Sequence, residues 1–398
     1  MILLLDLDDT LISNHIDTFL PSYLQLLGRH LSKHARPETL IKELLSATRK
    51  MVDNKRIDQT LEETFDASFY PALGRTKAEM RPALDDFYAN VYPGLRPIIS
   101  PRPEAQRLIE AALKRGYRLV IATNPLFPRT AILQRMAWGN LPSETYPFEI
   151  VTAYEAFHFA KPNPAYYAEV MAQLGWPNEP VMMVGNDLEN DIKPAAQAGM
   201  ATFWLTSQGD GPDPARPTAM RGSMDDLLTW IEQQNSAGLS MDFSTIDALR
   251  YNLVTTPGAL ASLARQFTPE QWTLRPAPGE WCLTEIICHL RDVEAEVNLP
   301  RLEKFKTEEN PFFAGMVTDP WAIERNYIQQ DGAAALAAYA NARQRNLDIL
   351  NQLPGPDWNR SSRHAIFGPT PLKELVSFIA THDRNHLQQA YRLLKKEA

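Results

Sequence analysis

A short apolar run that ends in a cluster of acidic residues opens the chain. Residues 1–5 are all apolar, which predicts a strand that is buried on both faces of a parallel sheet. Asp6, Asp8 and Thr10 follow this run directly. Carboxylates crowded at a strand end repel one another unless a cation or a proton joins them. The pattern therefore leaves two interpretations open, a solvated acidic loop and a catalytic centre at the edge of a sheet.

Helical and strand patterns alternate after this run. From about residue 15 to residue 95, apolar residues recur at spacings of one, three and four, which predicts helices. Farther on, helical segments separate short apolar strands, as is typical of parallel βαβ units. The predicted strands are 117–122, 148–152, 181–184 and 201–205, and the predicted helices around them are 103–115, 164–174 and 224–234. The early helical block is interpreted as an insertion that lies over the strand ends like a lid.

The remainder of the chain has a helical pattern throughout. Beyond about Asp242 the strand pattern disappears, and four long helical stretches predict an all-α bundle. These stretches are 243–267, 281–307, 331–352 and 371–396. Residues 235–238 are small, polar and flexible, as linkers are. The predicted regions are an α/β domain at 1–235 (core 1–14 and 96–235, helical cap about 15–95), a linker at 236–241 and a four-helix bundle at 242–398.

Composition and charge exclude several classes of protein. A length of 398 residues predicts two or three domains, and the net charge of −8 argues against binding to a nucleic-acid backbone. Cys282 and Cys288 indicate neither a CxxC site nor a disulfide framework. No stretch approaches the roughly 18 apolar residues that span a bilayer, and the amino terminus lacks the basic segment of a signal peptide. We expect a soluble, cytoplasmic protein without nucleic-acid or membrane partners.

More polar side chains follow the predicted strands or precede the next helix. Each has a structural explanation when it is considered alone, as a helix cap or a solvated charge. A lysine just before a helix also adds its charge to the positive end of that helix. Together with the first acidic cluster, and in this order along the chain, they favour a phosphoryl-transfer site. The residues are Thr123, Asn124, Lys161, Asn186, Asp187 and Asp191.

These residues make the sequence of positions 1–235 resemble the haloacid dehalogenase superfamily. Asp6, Asp8 and Thr10 match its first motif, Asp-x-Asp-x-Thr. Thr123 matches the second motif, and Lys161, in a Lys-Pro-x-Pro context, matches the third. An acidic pair after a glycine matches the fourth. The resemblance implies a hydrolase with a Rossmann-like three-layer α/β/α parallel sheet and an inserted helical cap.

The resemblance also implies catalytic roles. Asp6 would be the nucleophile that forms an aspartyl phosphate, and Asp8 would protonate the leaving group and then activate water. Thr123 and Lys161 would hold the phosphoryl oxygens. Because the family's dehalogenases lack the second aspartate that Asp8 matches, a phosphatase is favoured over a dehalogenase. A helical cap implies a small phosphorylated metabolite, since lids close over small substrates and exclude water.

A magnesium site is implied beside the nucleophile. Mg²⁺ prefers oxygen ligands and would neutralise the charge of the phosphoryl group, and the backbone carbonyl of Asp8 would be one ligand. The position after Gly185, usually acidic in the family, is Asn186 here. Whether Asn186 or Asp187 binds the ion is left open. The residues assigned to the metal are Asp6, Asp8, Asn186, Asp187 and Asp191, and those assigned to the substrate are Thr10 and Asn124.

Three histidines in the helical region form a second candidate site. His382 and His386 are four residues apart, which places both rings on one helical face. His289 has apolar neighbours in another predicted helix, so we expect it to face the bundle core. A single buried histidine is more often part of a core than a ligand. Facing helices that present three imidazoles inward would instead form an open metal site.

The helical region resembles the DinB-like metal-binding bundles over about residues 242–398. The motifs that carry the resemblance are Gly279-Glu280-Trp281, Glu285 and His289 in one segment, and residues 378–389 with His382 and His386 in another. The resemblance implies that the three histidines bind zinc or nickel, since imidazole suits both ions. Glu285, Asp383 and Arg384 could orient the ligands or contact a substrate, but the favoured interpretation is that they are solvated helix positions.

Three functional hypotheses follow from the two resemblances. The leading one is a magnesium-dependent phosphatase that is fused to a three-histidine metal-binding bundle. The second places the main chemistry in the bundle, as a metal-dependent thiol transferase or hydrolase. In the third, the bundle is a non-catalytic metal-binding or assembly module that positions the phosphatase. The substrate stays open, and so does the oligomeric state, with a homodimer as one alternative.

Overall fold

The chain forms two units in the computed structural model, which describes residues 1–206, 219–233, 239, 241–353 and 355–396. The first unit consists of Met1–Lys55, Gln59–Tyr167 and Glu179–Asp242, and the second of Arg56–Asp58, Ala168–Asn178 and Phe243–Ala398. The predicted linker at 236–241 lies outside the described residues except for positions 239 and 241. The predicted domain limits therefore stay a prediction.

Parallel strands form a six-stranded sheet in the first unit. The strands of this unit are β1 (Ile2–Leu5), β2 (Ile12–Ser13), β3 (Ser100–Pro101), β4 (Arg118–Ile121), β5 (Phe148–Val151), β6 (Val181–Gly185), β7 (Ala201–Leu205) and β8 (Ala219–Gly222). The sheet has the order β5-β4-β1-β6-β7-β8, and every neighbouring pair in it is parallel. Because β1 lies between β4 and β6, the carboxyl ends of these three strands meet at one edge. The predicted α/β class is confirmed, and β8 adds a strand to those predicted.

One apolar core joins the helical insertion to the sheet. The helices that begin in the first unit are α1 (Ile16–His30), α2 (Pro37–Val52), α3 (Leu61–Ala72), α4 (Lys77–Asp86), α5 (Pro103–Lys114), α6 (Arg129–Trp138), α7 (Pro164–Gln173), α8 (Lys193–Gln197) and α9 (Met224–Glu232). Leu5, Phe19, Leu27 and Ile132 all belong to this core and are buried. The helix α6 was not predicted, because its polar and apolar positions are poorly separated and Arg135 lies among its buried residues.

Four long helical stretches form the second unit. Its helices are α10 (Ile246–Ala264), α11 (Leu283–Val293), α12 (Leu299–Thr307), α13 (Trp321–Glu324), α14 (Gly332–Gln352) and α15 (Leu372–Lys396). Residues 294–298 continue α11 into α12, so the four predicted helices are all present and the predicted bundle is confirmed. No helix in the described part of the chain combines the length and the apolar character that crossing a membrane requires.

A small sheet in the second unit was not predicted. Its strands are β9 (Phe312–Phe313), β10 (Ser361–His364) and β11 (Gly368–Pro371), in the order β11-β10-β9. The expectation that strands are absent beyond Asp242 is therefore wrong at these positions. Strands of two to four residues are too short to show the alternation by which a strand is identified in a sequence.

A buried network of charges crosses the core of the bundle. Arg343 in α14 is fully buried, and its guanidinium donates to Asp383 Oδ2 at 2.6 Å and to Glu294 Oε2 at 3.0 Å. Asn346 Nδ2 donates to Glu294 Oε1 at 2.6 Å. The interpretation of Asp383 and Glu285 as solvated positions is wrong, because they are 1% and 0% exposed. Charges tolerate such burial only when they are paired and hydrogen-bonded.

Arg343→Met should destabilise the bundle strongly. The change leaves two buried carboxylates without their cation, and we expect the free energy of unfolding to fall by about 3–5 kcal/mol, as measured by urea denaturation. Arg345→Met is the matched control, since Arg345 is exposed on the same helix, and it should change stability by less than about 0.5 kcal/mol. A similar, small effect of both substitutions would contradict the prediction.

Candidate functional sites

Three buried charged side chains lie together at the carboxyl ends of β1 and β6. Asp6 follows β1, Asp191 lies in the helical turn after β6, and Lys161 lies in the loop before α7. The Lys161 Nζ donates to Asp6 Oδ1 at 2.8 Å and to Asp191 Oδ1 at 2.6 Å. None of the three residues is more than 8% exposed. Two carboxylates thus share one ammonium, and the group carries an excess negative charge when all three side chains are ionised.

Burial and the neighbouring charges shift the protonation of this group. Burial raises the pKa of the Asp6 carboxyl to about 7, with Asp191 acting in the same direction and Lys161 opposing both. Burial lowers the pKa of Lys161, but Asp191 and Asp6 outweigh it and hold that pKa well above its ordinary value. Lys161 is therefore a fixed cation. A further cation would favour the ionised form of Asp6 that a nucleophile needs, so this donor set fits Mg²⁺.

The turn after β6 brings Asp191 close to the strand end. A β-carbon at Gly185 would lie 2.2 Å from Asp191 Oδ2, so only glycine leaves room for the carboxylate. The Asp187 backbone N–H donates to the same oxygen at 3.0 Å. The Asp187 carboxylate accepts from the backbone N–H groups of Glu189 and Asn190, at 2.8 and 3.0 Å. It therefore caps the helical turn that carries Asp191.

Asn186 faces the first acidic loop instead. Thr10 Oγ1 donates to Asn186 Oδ1 at 3.0 Å, which joins the loop after β6 to the loop after β1. Burial raises the pKa of Asp187, but its hydrogen bonds from Asn190 and Glu189 outweigh this effect and lower that pKa overall. The sequence left open whether Asn186 or Asp187 binds the metal ion, and the two side chains have different surroundings. Asn186 is turned toward the site and Asp187 toward its own backbone.

Thr123 and Asn124 come from the end of β4, next to β1. The backbone carbonyl of Thr123 accepts hydrogen bonds from the Tyr166 hydroxyl and from Thr152 Oγ1, each at 2.8 Å. Asn124 Oδ1 accepts from the Lys161 backbone N–H at 3.2 Å. The loop that carries Lys161 is thereby tied to β4. The predicted residues of the first site lie at one edge of the sheet, while their catalytic roles stay a prediction.

Two residues that no motif indicated hold Asp8. Asn14 Nδ2 donates to Asp8 Oδ1 at 2.6 Å, and Arg135 Nη1 donates to Asp8 Oδ2. The Asp8 side chain remains 31% exposed, whereas Arg135 is 2% exposed. No spacing links position 135 to the first motif, so the contact arises only through the fold. The one feature that could have drawn attention to this residue is that an arginine occupies a buried position of α6.

A cavity of about 690 Å³ lies among the cap helices and the residues after β4. Its lining is largely apolar and aromatic, and it was not predicted from the sequence. The hydroxyl groups of Tyr23 and Tyr88 lie 3.1 Å apart in its wall, and Phe127 belongs to the same loop as Asn124. The cavity is large enough for an aromatic or apolar group of a small ligand. Aromatic and apolar residues in its lining include Leu20, Tyr23, Phe65, Tyr88, Phe127 and Tyr154.

The three predicted histidines meet in the bundle. The Nε2 atoms of His289 and His386 lie 3.0 and 3.2 Å from the Nε2 atom of His382. Trp281 stacks on His386 with ring centroids 5.7 Å apart. The His386 Nδ1 atom lies 2.7 Å from Gln389 Oε1, so Nδ1 donates to this amide and Nε2 keeps its lone pair. Three nitrogen donors therefore converge on one point.

Burial keeps these imidazoles neutral. It lowers the pKa of His289 to about 3, with His386 acting in the same direction. Burial also lowers the pKa of His382 and of His386. Neutral imidazole is the form that binds a divalent ion, and the candidate ligand atoms all lie within 4.8 Å of one another. The residues present fit a metal site.

A second cavity, of about 670 Å³, adjoins His386. Its lining includes Trp281, Asp319, Gln389 and Arg392. Charged and amide groups beside His386, one of the three histidines, give this cavity the chemistry of a site for a polar small molecule.

Two family models match the chain. Residues 1–199, half of the 398-residue chain, match the model of haloacid dehalogenase-like hydrolases. Residues 252–390 match the model of the DinB superfamily. The first match spans all the residues predicted for the phosphoryl-transfer site, and the second spans the three histidines.

Three individual relatives are between 17% and 30% identical to this chain over the aligned residues. Pyrimidine 5′-nucleotidase YjjG from Escherichia coli (strain K12) is 30% identical over 132 residues, which are 33% of this chain and 56% of that protein. The match thus spans little more than half the length of this relative. A HAD phosphatase from Thermococcus onnurineus is 17% identical, over 57% of this chain and 95% of that chain, with a TM-score of 0.37. YfiT from Bacillus subtilis, which has an unusual four-helix bundle topology, is 19% identical over 40% of this chain and 90% of that chain, with a TM-score of 0.36.

The region that matches the hydrolase model contains β1, β4 and β6, at whose carboxyl ends the motif residues lie. The region that matches the DinB superfamily model lies within the helical second unit. The chain belongs to the haloacid dehalogenase-like hydrolases, and a region that matches the model of the DinB superfamily follows the hydrolase region.

Proposed function

We propose that the first unit is a magnesium-dependent phosphatase that hydrolyses a small phosphomonoester through an aspartyl-phosphate intermediate. The observation that carries this proposal is the buried group in which Asp6 and Asp191 share Lys161. A carboxylate nucleophile beside a fixed cation suits attack on an anionic phosphoryl group. Asp8, two positions after the nucleophile, supplies a group for proton transfer.

Two displacements at phosphorus make up the proposed reaction. In the first, an Asp6 oxygen bonds to phosphorus, the bond from phosphorus to the leaving oxygen breaks, and Asp8 gives its proton to that oxygen. In the second, water bonds to phosphorus and gives a proton to Asp8, and the bond between phosphorus and Asp6 breaks. The products are an alcohol and inorganic phosphate. The side chains proposed to contact the substrate are Thr10, Thr123, Asn124 and Lys161.

Oxygen donors at the same edge of the sheet would hold the magnesium ion. They are the carboxylates of Asp6 and Asp191, the backbone carbonyl of Asp8 and the amide oxygen of Asn186. Asp187 is left out of this set because its carboxylate caps a helical turn. When bound, the ion offsets the excess negative charge of the buried group and that of the phosphoryl oxygens.

We infer a nucleoside monophosphate as the substrate class. The cavity of about 690 Å³ in the cap has room for a nucleoside, and Tyr23, Phe65 and Phe127 offer ring faces for a base. The likeness to a pyrimidine 5′-nucleotidase over 132 residues supports the same class.

The second unit is proposed to bind one transition-metal ion, zinc or nickel, through His289, His382 and His386. Nitrogen ligands at about 2.0–2.1 Å from a tetrahedral zinc ion lie about 3.3 Å from one another. The distances of 3.0 and 3.2 Å between the Nε2 atoms are close to this value. Three protein ligands leave a fourth position for water or substrate.

A metal-dependent hydrolase or thiol transferase in the bundle is the second candidate function. The cavity beside His386 favours it, because a purely structural metal site has no need of adjoining space. Turnover that survives Asp6→Asn and disappears in His382→Ala would assign a reaction to the bundle. A metal-binding module without catalysis remains the alternative.

A cytoplasmic location, the absence of nucleic-acid partners and the oligomeric state stay predictions.

Asp6→Asn should abolish the release of phosphate. The amide keeps the size of the side chain but is not a nucleophile, so kcat should fall on the order of 10⁴-fold or more. Inorganic phosphate released from nucleoside monophosphates in the presence of Mg²⁺ is the measurement. Asp225→Asn, an exposed change on α9, should leave kcat unaltered. Full activity of Asp6→Asn would remove the covalent mechanism.

Phe65→Ala should weaken the preference for nucleosides. Losing one ring face costs about 1.4 kcal/mol, which raises KM for a nucleoside 5′-monophosphate about tenfold. Glycerol phosphate, which lacks a base, should show little change in kcat/KM. Phe312→Ala removes an exposed ring of the second unit and should affect neither substrate. Equal changes for both substrates in Phe65→Ala would count against a base in this cavity.

The double substitution His382→Ala/His386→Ala should remove the transition metal. Elemental analysis of the purified protein should find about one zinc- or nickel-type ion per chain, and none in the variant. His364→Ala is the control, because His364 is also a buried histidine of the second unit but lies outside the triad. Metal content that is unchanged in the double variant would exclude these ligands.

A further inference from the structure

We propose that Arg135 is a positioning residue for Asp8, and that it holds the Asp8 carboxyl in the orientation from which the leaving group receives its proton. The proposal rests on the phosphatase reaction given above, in which Asp8 is the acid. Arg135 belongs to none of the motifs that define the site. It reaches the acidic loop from α6.

Both oxygens of Asp8 have a donor. Arg135 Nη1 donates to Oδ2, and Asn14 Nδ2 donates to Oδ1 at 2.6 Å. Two donors from different directions fix the plane of a carboxylate whose terminal torsion is otherwise broad. Each oxygen keeps a further lone pair, and the side chain remains 31% exposed. Both contacts therefore leave lone pairs of the Asp8 carboxyl free for the proton exchange of the proposed reaction.

Arg135 itself has little freedom to move. It is 2% exposed, and its Cζ atom lies 5.0 Å from the centre of the Phe127 ring and 5.6 Å from that of Phe19. These distances place the guanidinium in cation–π contact with both rings. Its Nε atom is buried and has no hydrogen-bond partner among the described residues.

A positioning role and a purely structural role predict different kinetics. An alkyl phosphate releases an alkoxide, which needs the proton from Asp8. p-Nitrophenyl phosphate releases a stabilised phenolate, which departs without it. Loss of an aligned Asp8 therefore slows the first ester much more than the second, whereas a general disturbance of the site slows both alike. The ratio kcat/KM is the appropriate quantity, because it covers the steps up to departure of the leaving group.

The test uses the full chain with Mg²⁺ and compares glycerol phosphate with p-nitrophenyl phosphate. Arg135→Met should lower kcat/KM for glycerol phosphate on the order of 30-fold and that for p-nitrophenyl phosphate less than about threefold. Arg135→Lys keeps the charge and should recover part of the loss. Arg102→Met is the matched control, since Arg102 donates to the Asp9 and Thr10 carbonyls of the same loop. It should lower both values by similar factors.

Equal losses for the two esters in Arg135→Met, or no loss, would overturn the positioning role and leave the phosphatase function intact. If Arg135→Met does not fold, the same comparison is made with Arg135→Lys and with Asn14→Ala, which removes the other donor to Asp8. A selective loss for glycerol phosphate in these variants supports the role, and its absence overturns it. Wild-type protein that hydrolyses neither these two esters nor a nucleoside 5′-monophosphate would refute the phosphatase function, and the positioning role with it.

Discussion

The sharing of one lysine by two buried carboxylates is the constraint on which the first site depends. Ions without a partner are strongly unfavourable in a protein interior, so Asp6 and Asp191 must lie within reach of Lys161. Glycine at position 185 makes room for the Asp191 carboxylate, and Asn124 ties the loop of Lys161 to the neighbouring strand. When all three side chains are ionised, the same arrangement leaves an excess negative charge at the edge of the sheet, where the proposed phosphatase would bind its divalent cation.

The two units of the chain present different donors for metal ions. Carboxylate, amide and carbonyl oxygens surround the edge of the sheet, and such hard ligands suit Mg²⁺. Imidazole nitrogens converge in the bundle, where they suit zinc or nickel. In the bundle, Asp383 lies next to His382 on α15 and pairs with the buried Arg343 of α14, which fixes the position of the helix that carries His382 and His386. Burial of neutral rings and burial of paired charges thus occur side by side on one helix.

Much of the architecture could be predicted because periodicity is a local property. Strands such as β7 and long helices such as α14 occur where their patterns predict them, since burial of one face repeats at a fixed spacing. The short strands of the second unit were not predicted, because they have too few residues to show an alternating pattern. The helix α6 was not predicted, because the polar residue Arg135 occupies one of its buried positions. The aromatic cavity of the cap also escaped, since its lining comes from helices that are far apart in sequence.

The sequence by itself determined which chemical groups stand at the strand ends and in which order, because motif residues follow strands directly. It also determined that His382 and His386 share a helical face, which is a consequence of helical spacing. Only the tertiary structure decided that Asn186 turns toward Thr10 while Asp187 caps its own helix. Only the tertiary structure brought Arg135 to Asp8. Such contacts join residues from separate elements, and local pattern carries no information about which elements pack together.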